Sequence, residues 1–322
     1  MNGEGSNLEY NQLGNTDMKV SKLCFGGLTV GPLQANLSPQ EGGKIIARAM
    51  EEGVNFIDTA DLYNTYSHIQ KAMEYSNKEL IIATKSYDYE KSGAQKSFYR
   101  ALRELKRDYI DIFMLHEQES IYTIKGHWEA MEYYLKQKKL GNLRAVGIST
   151  HRIAAVKAAA DIPEIDVIHP IINLNGIGID DGSKEEMLEA IWYAKSKGKG
   201  IYGMKPLGGG NLLNNIEKCF DYVLNLDCLD SIAVGMQSIE EVIYNVSVFT
   251  GKKIPIDVKE KLSNKPRRLL VDFWCEGCGN CERKCTHNAI KVIEGKAVVD
   301  ADRCVVCGYC GAFCPQFCIK VI

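Results

Sequence analysis

The sequence predicts an α/β protein in which a closed (β/α)8 TIM barrel precedes a small α+β domain rich in cysteine. Over about 230 residues, short runs of β-branched and aromatic residues alternate with amphipathic helical patterns, as in a barrel of eight strand–helix units. Beyond residue 268, eight cysteines stand in two matching runs. We therefore expect residues 1–267 to form the barrel and residues 268–322 to form the second domain.

Length and charge limit the classes of function. The 322 residues suffice for one large domain and one small one, and the net charge of −2 gives no basic field to attract nucleic acid. No apolar run approaches the length of a membrane span. The opening residues MNGEGSNLEY lack the apolar stretch of a signal peptide, so we expect a reducing, cytoplasmic location.

The barrel elements follow in chain order. Residues 8–20 predict a short hairpin that closes the bottom of the barrel. Strands are expected at 22–25, 54–58, 80–84, 110–115, 145–148, 165–169, 200–204 and 231–234. Ser38 and Glu41 form a capping box for a helix that stops near Gly53, and further helical patterns cover 94–106, 124–138, 183–197 and 238–249. An open doubly wound sheet is the alternative, but Gly26-Gly27-Leu28-Thr29 does not match the G-x-G-x-x-G turn expected there.

The two cysteine runs share one spacing. The first comprises Cys275, Cys278, Cys281 and Cys285, and the second comprises Cys304, Cys307, Cys310 and Cys314, followed by Pro315. This is the spacing of bacterial two-cluster ferredoxins, in which the fourth cysteine of each run ligates the cluster of the other run. One [4Fe–4S] cluster is therefore expected on Cys275, Cys278, Cys281 and Cys314, and a second on Cys304, Cys307, Cys310 and Cys285.

Other interpretations of the cysteines fit less well. A zinc site would need cysteine pairs separated by a longer loop, and disulfides are not expected in a reducing compartment. The remaining cysteines, Cys24, Cys219, Cys228 and Cys318, are interpreted as small apolar residues.

Polar residues at several strand ends suggest an acid–base device. Asp58, Lys85 and His116 fall at the carboxyl ends of predicted strands, and Tyr63 follows Asp58 in the next loop, where such barrels carry their chemistry. A tyrosine is a poor acid because its pKa is about 10, and a nearby Lys85 ammonium, held by Asp58, would lower that pKa. Tyr63 could then protonate a carbonyl oxygen as a hydride arrives, while His116 orients the substrate. Any one of these residues alone could simply be a polar side chain at the edge of the barrel. Four that fit one acid–base device together favour a catalytic role.

From about Tyr10 to Phe249 the chain resembles the aldo-keto reductase family. The resemblance rests on the strings GVNFIDTADLYN, IIATKS, DIFMLHEQ, AVGIST, GMKPLGGGNL and SIAVGMQSIEEVIYN. It implies hydride transfer between a nicotinamide nucleotide and an aldehyde or ketone, with Asp58, Tyr63, Lys85 and His116 as the catalytic tetrad. A barrel joined to a ferredoxin-like module is similar to a subgroup found among anaerobes and archaea.

The resemblance also implies a nucleotide site. Its residues would be Gly27, Ser149, His169, Met204, Lys205, Pro206, Leu207, Gly208, Gly210, Gly235, Gln237 and Asn245. His169 replaces the usual Gln, Met204 replaces an aromatic that stacks on nicotinamide, and Lys205 could neutralise pyrophosphate. Gln237 stands where a basic residue clamps a 2′-phosphate, and two carboxylates follow, so NADH is favoured over NADPH.

Three functions remain open. In the favoured one, the protein is a carbonyl reductase whose cysteine-rich module is structural and lies at the active-site mouth. In the second, the clusters exchange single electrons with a ferredoxin-type carrier, although a hydride moves two electrons together and no flavin fingerprint is visible. In the third, a ligand-binding barrel senses oxygen or redox state, which would not require an intact catalytic tetrad.

Overall fold

The computed structural model of the protein describes residues 7–322 and contains a closed barrel of parallel strands. The barrel strands are β3 (Leu23–Gly26), β4 (Phe56–Asp58), β5 (Ile81–Ser86), β6 (Ile110–Leu115), β7 (Leu143–Thr150), β8 (Val167–Pro170), β9 (Gly200–Met204) and β10 (Ser231–Gly235). Each strand pairs with its neighbours in chain order, and β10 pairs with β3 to close the ring. The predicted barrel is therefore confirmed, and the open-sheet alternative is excluded.

Helices surround the barrel and pack their apolar sides on it. They are α1 (Pro39–Glu51), α2 (Tyr66–Tyr75), α3 (Lys91–Leu105), α4 (Ile121–Gly126), α5 (Trp128–Lys139), α6 (Ile153–Ala160), α7 (Lys184–Ser196), α8 (Ile216–Leu224), α9 (Ile239–Thr250) and α10 (Ile256–Ser263). The capping box of Ser38 and Glu41 is present at α1. The single helix expected at 124–138 is wrong, because the backbone leaves helical geometry at His127 and divides it into α4 and α5.

A hairpin closes the amino-terminal end of the barrel, as predicted. Strands β1 (Tyr10–Gln12) and β2 (Lys19–Ser21) pair antiparallel. Between and beside them Leu13, Met18 and Val20 are fully buried, and they pack with interior barrel residues such as Phe56. The barrel is thus filled from below, which leaves the opposite end free for a site.

The residues after the last barrel helix form a separate small layer. Strand β11 (Leu269–Val271) pairs with β14 (Ile319–Val321), β12 (Ile290–Ile293) pairs with β13 (Lys296–Val299), and α11 (Asn280–Lys284) lies between β11 and β12 in sequence. Phe317 packs with Ile177 and Leu212 from the loops after β8 and β9. Those loops follow the carboxyl ends of the strands, so the cysteine-rich segment lies at the predicted mouth of the barrel. Within residues 7–322, no helix has the length and apolar character needed to cross a membrane.

Candidate active site

A buried ion pair at the carboxyl ends of β4 and β5 forms the centre of the site. The Lys85 ammonium donates hydrogen bonds to both carboxylate oxygens of Asp58, each at 2.8 Å, and to the backbone oxygen of Thr59 at 2.7 Å. The two side chains are only 1% and 8% exposed. These three bonds use every donor of the ammonium, so Lys85 is fixed in position.

Tyr202 and His169 complete the surroundings of Asp58. The Tyr202 hydroxyl donates to Asp58 Oδ1 at 2.9 Å, and the His169 ring stacks on the Tyr202 ring with 3.8 Å between centroids. His169 Nδ1 lies 2.6 Å from the Tyr202 backbone oxygen, and burial lowers the pKa of His169 to about 4. Sequence reasoning missed Tyr202, because a tyrosine within β9 has no recognisable pattern. Only the closure of the barrel places its side chain beside Asp58 of β4.

Tyr63 lies above this ion pair and faces His116. It ends the turn after β4, and its hydroxyl lies 3.4 Å from His116 Nε2. Burial raises the pKa of Tyr63 well above its ordinary value, and the Asp58 and Glu117 charges raise it further. The expected lowering by Lys85 is therefore wrong. The Lys85 ammonium lies 4.9 Å from the centre of the Tyr63 ring, and Asp58 balances its charge.

His116 is held as a neutral ring. Burial lowers its pKa well below the ordinary value, and the charges of Lys85 and Lys205 lower it further. The Tyr87 ring stacks on it with 4.3 Å between centroids. Its Nδ1 atom has no hydrogen-bond partner among residues 7–322, whereas Nε2 faces Tyr63. The neutral imidazole and the neutral phenol thus present adjacent polar atoms to a substrate.

A cavity of about 700 Å³ opens beside Asp58 and Tyr63. Most residues expected to hold the nucleotide line it: His169, Met204, Lys205, Pro206, Leu207, Gly210, Gly235, Gln237 and Asn245. The structure does not bring Gly27, Ser149 or Gly208 to this lining. The Ser149 hydroxyl is fully buried and accepts a hydrogen bond from the Glu117 backbone N–H at 2.9 Å. His169 reaches the wall, but its Nδ1 is engaged by Tyr202.

The segment that links the barrel to the cysteine-rich layer supplies basic residues to the same cavity. Lys259, Lys265 and Arg267 line it. The Lys265 ammonium donates to Gln237 Oε1 at 3.0 Å and to Glu241 Oε1 at 2.7 Å. Gln237 replaces the basic residue that the family has at its position, but Lys265 brings a basic side chain to the same place from another part of the chain. Sequence reasoning missed Lys265 because α10 folds back from outside the region that resembles the family.

The cysteines of the two runs gather into two groups in the cysteine-rich layer. Burial raises the pKa of the Cys281 thiol, and the nearby Cys314, Cys275 and Cys278 thiols contribute to the increase. A small pocket elsewhere in this layer is lined by Cys285, Cys304, Cys307 and Cys310. Burial raises the pKa of Cys310 to about 12, with added effects of Cys281 and of the other thiols of this pocket. The neighbours of Cys281 thus include Cys314 of the second run, and the pocket of the second run includes Cys285 of the first, while Cys281 and Cys310 lie near each other between them.

Backbone N–H groups point at several of these sulfurs. Ala289 donates to Cys285 Sγ at 3.3 Å, Ala297 to Cys275 Sγ at 3.4 Å, and Cys318 to Cys314 Sγ at 3.4 Å. The Cys318 thiol also lies 3.3 Å from Cys314 Sγ and lowers the pKa of Cys314 to about 6. Cys318 is therefore more than a small apolar residue, although it is fully buried like Cys24, Cys219 and Cys228. Among residues 7–322, no three histidine, cysteine or carboxylate groups converge closely enough for a single metal ion.

Comparison with known proteins agrees with the geometry of the barrel. Residues 22–225 match the model of the aldo/keto reductase family. L-galactose dehydrogenase from Arabidopsis thaliana is 25% identical over 285 residues, which cover 76% of this chain and 88% of the relative. Methylglyoxal reductase DkgA from Escherichia coli is 25% identical over 189 residues, which cover 56% of this chain and 67% of the relative.

Solved structures show the same fold. An aldo-keto reductase structure from Pseudomonas aeruginosa superposes with a TM-score of 0.65 at 21% identity, covering 76% of this chain and 96% of that one. A holo aldo-keto reductase from Bacillus halodurans gives a TM-score of 0.63 at 22% identity, covering 80% and 96%. The family match spans more than half of the sequence and contains Asp58, Tyr63, Lys85 and His116. The chain therefore belongs to the aldo/keto reductase family and is an NAD(P)H-dependent oxidoreductase.

Proposed function

We propose that the protein reduces the carbonyl group of a small molecule to an alcohol, or catalyses the reverse, with Asp58, Tyr63, Lys85 and His116 as catalytic residues. The observation that carries the proposal is the 3.4 Å separation of the Tyr63 hydroxyl and His116 Nε2, directly above a buried ion pair. A carbonyl oxygen that contacts both groups would be within hydrogen-bonding distance of a proton donor.

In this mechanism Tyr63 donates its proton to the carbonyl oxygen. NAD(P)H, when bound, supplies the hydride. The raised pKa of Tyr63 keeps the hydroxyl protonated before reaction, as a general acid requires. Neutral His116 can donate a second hydrogen bond from Nε2 to the same oxygen, which orients the substrate.

The Asp58–Lys85 pair acts on the tyrosine after the proton leaves. A phenolate would form on a ring whose centre lies 4.9 Å from the buried Lys85 ammonium, and the attraction between such charges is strong where water is excluded. Asp58 fixes the ammonium beneath the ring, and Tyr202 fixes Asp58. The same groups, in reverse, would accept the proton of an alcohol.

The proposed nucleotide site is the cavity lined by Met204, Gly210, Gly235, Gln237 and Asn245. We favour NADH, because the Glu241 carboxylate beside Gln237 can accept a hydrogen bond from a ribose 2′-hydroxyl and would repel a 2′-phosphate. Lys265 offsets part of this negative charge. The preference for NADH therefore rests on the Glu241 carboxylate, because Lys259 and Arg267 bring further positive charge to the same cavity.

The cysteine-rich layer is proposed to hold two [4Fe–4S] clusters, with Cys275, Cys278, Cys281 and Cys314 on one and Cys304, Cys307, Cys310 and Cys285 on the other. The two crossed cysteine groups support this, as do the N–H donors to Cys275, Cys285 and Cys314, since hydrogen bonds to sulfur tune cluster potentials. A cluster is wider than one ion, so its thiolates need not converge on a point. Each cluster, when bound, supplies a one-electron redox centre.

The role favoured for this layer is structural, with residues 1–267 and 268–322 as the two domains. Val306, Lys320, Val321 and Ile322 line the catalytic cavity, so the layer forms part of its wall. One observation favours a second role: Cys307 lines both the cysteine pocket and the catalytic cavity. That contact would suit electron exchange with a ferredoxin-type carrier. Both roles place the protein in a reducing cytoplasm and make it sensitive to oxygen.

Electron paramagnetic resonance on anaerobically purified protein tests the clusters and their role. We expect a reduced-cluster signal after dithionite and none after NADH or NADPH alone. A signal from nucleotide alone would favour electron exchange over the structural role. Protein that retains activity but carries no iron would refute the clusters.

A matched pair of variants tests the ligand assignment. Cys304→Ser should lose about half of the bound iron, because one of the two proposed clusters lacks a ligand. Cys219→Ser, a change at a buried cysteine outside both groups, should keep all of it. Equal iron content in the two variants would remove Cys304 from the ligand set.

A further inference from the structure

Two lysines from different parts of the chain meet at the wall of the catalytic cavity. Lys205 follows β9, and Lys320 lies on β14; both line the cavity. Their ammonium groups lie on the Phe317 ring, 4.5 Å and 3.3 Å from its centre. The Lys205 ammonium also lies 2.7 Å from His151 Nε2, and the Lys320 ammonium donates to the Phe317 backbone oxygen. The two charges are thus held close together by one aromatic ring.

Little negative charge balances this pair. The Asp272 carboxylate lies 3.9 Å from the Lys320 ammonium, which is too far for a hydrogen bond, and its Oδ2 atom has no hydrogen-bond partner among residues 7–322. No carboxylate of the described residues lies within 4.0 Å of the Lys205 ammonium. Burial lowers the pKa of Lys205 to about 8, and the Lys85 charge adds to this effect while the charges of Glu117, Asp272 and Asp180 oppose it. Burial also lowers the pKa of Lys320 well below its ordinary value, and the Lys205 charge adds to that effect. Two desolvated cations that no carboxylate of the described residues contacts within hydrogen-bonding distance would be stabilised by a further anion.

The backbone also holds Lys205 in an uncommon conformation. Its φ angle is +58°, in the left-handed region that a lysine rarely adopts. Such strain persists where the surrounding structure imposes it, and it is concentrated at binding sites. Here it directs a charged side chain to the cavity wall instead of to solvent.

We propose that Lys205 and Lys320 bind a carboxylate or phosphate group on the carbonyl substrate, so that the enzyme acts on anionic aldehydes or ketones such as oxo acids. This inference rests on the proposed carbonyl reduction and names its substrate class. Lys205, which the resemblance assigned to the pyrophosphate, is assigned here to the substrate, because its charge acts on the catalytic groups His116 and Lys85. Lys205 is near enough to His116 for its charge to lower the pKa of that ring. Lys265, by contrast, contacts Gln237 and Glu241, at the proposed ribose end.

Matched substrates isolate the contribution of the charge. The holoenzyme would be assayed with 4-oxobutanoate and 5-oxopentanoate and with their methyl esters, which keep the aldehyde and remove the anion. We expect kcat/KM to be at least about tenfold higher for the better acid than for its ester, because a charge-assisted hydrogen bond contributes enough binding free energy for such a difference. Lys320→Met should abolish this preference while leaving the ester within about threefold, and Lys320→Arg should restore most of it. Lys252→Met removes an exposed lysine after α9 and serves as the control, so it should keep the wild-type preference for acids.

Direct binding separates this inference from the proposed reaction. Calorimetric titration of the NAD⁺-saturated holoenzyme with succinate, and separately with inorganic phosphate, should show saturable binding of at least one of them, which Lys320→Met removes. Binding without turnover of any carbonyl would refute the proposed reaction and leave the anion site standing. Turnover with no preference for acids would refute the anion site alone. If Lys205→Met and Lys320→Met bind NADH more weakly but keep the wild-type ratio of kcat/KM for acid and ester, the inference is overturned. The two lysines would then bind the nucleotide.

Discussion

Replacing Asp58 with Asn should destabilise the whole barrel through a single charge. Asparagine keeps the size of the side chain and an acceptor for the Tyr202 hydroxyl, but it removes the counter-charge of Lys85. Lys85 is 1% exposed, so its ammonium would remain buried without a partner. Removing one member of a buried pair costs about 3–5 kcal/mol. With an unfolding entropy of about 2.1 cal/mol/K per residue over 322 residues, Tm should fall by about 4–7 °C.

Two further variants give this prediction its controls. In Asp58→Asn/Lys85→Met no charge remains to be buried, so Tm should recover to within about 3 °C of the wild type, although the enzyme stays inactive. Asp61→Asn breaks the part-exposed pair of Asp61 with Arg100 and should cost at most about 1 kcal/mol, or under 2 °C. The assay is thermal unfolding by circular dichroism of anaerobic samples with equal iron content. The reasoning is refuted if Asp58→Asn melts like Asp61→Asn, or if the double variant is the least stable.

Three more predictions concern catalysis. Tyr63→Phe should lower kcat by about 10²–10⁴-fold and leave NADH affinity within about twofold, by stopped-flow and fluorescence titration; retained kcat would remove Tyr63 as the acid. Glu241→Gln should raise the NADPH-to-NADH ratio of kcat/KM by about tenfold, or 1.4 kcal/mol, because a carboxylate facing a 2′-phosphate is lost; an unchanged ratio would show that Glu241 does not face the ribose. Because burial lowers the pKa of Lys205 to about 8, the acid-to-ester preference should be full at pH 7 and fall as the pH rises through 8. Lys205→Met should remove the fall centred near pH 8, although the other charged groups around the position remain, namely His151, Lys320, Asp272, Glu117, Asp180 and Lys85. A preference that holds to pH 9 in the wild type would contradict this.

The barrel was predictable because each of its strands is a short apolar run bounded by turn residues. The positions of the strand ends then predicted Asp58, Lys85 and His116 as site residues, because all parallel strands of a barrel end on the same face. Helix α6 was missed because Ile153–Ala160 is almost entirely apolar, so it shows no contrast between faces. The spacing of apolar residues reveals a helix through the contrast between its apolar and polar faces, and this contrast is lost where a helix has few polar residues.

Side-chain pairings across the barrel were not predictable in the same way. Tyr202 reaches Asp58 only because β9 and β4 face each other across a closed barrel, which depends on register. Lys265 reaches Glu241, and Lys320 reaches the cavity, through a chain reversal after α9 that no local spacing records. The lowering of the Tyr63 pKa was wrong because burial, which raises it, is a property of the assembled cavity.

The cavity wall has a consequence for how selectivity could change. The reacting groups stand on barrel strands, whereas Val306, Lys320 and Val321 belong to a layer that follows the barrel in sequence. The two parts are joined by a single crossing of the chain near α10. A chimera that exchanges this layer between related proteins should therefore transfer the contribution of Lys320 to substrate preference, while Lys205 and the proton-transfer machinery stay with the barrel. Part of the selectivity could then change in evolution by replacement of this layer, without any change to the residues that transfer the proton.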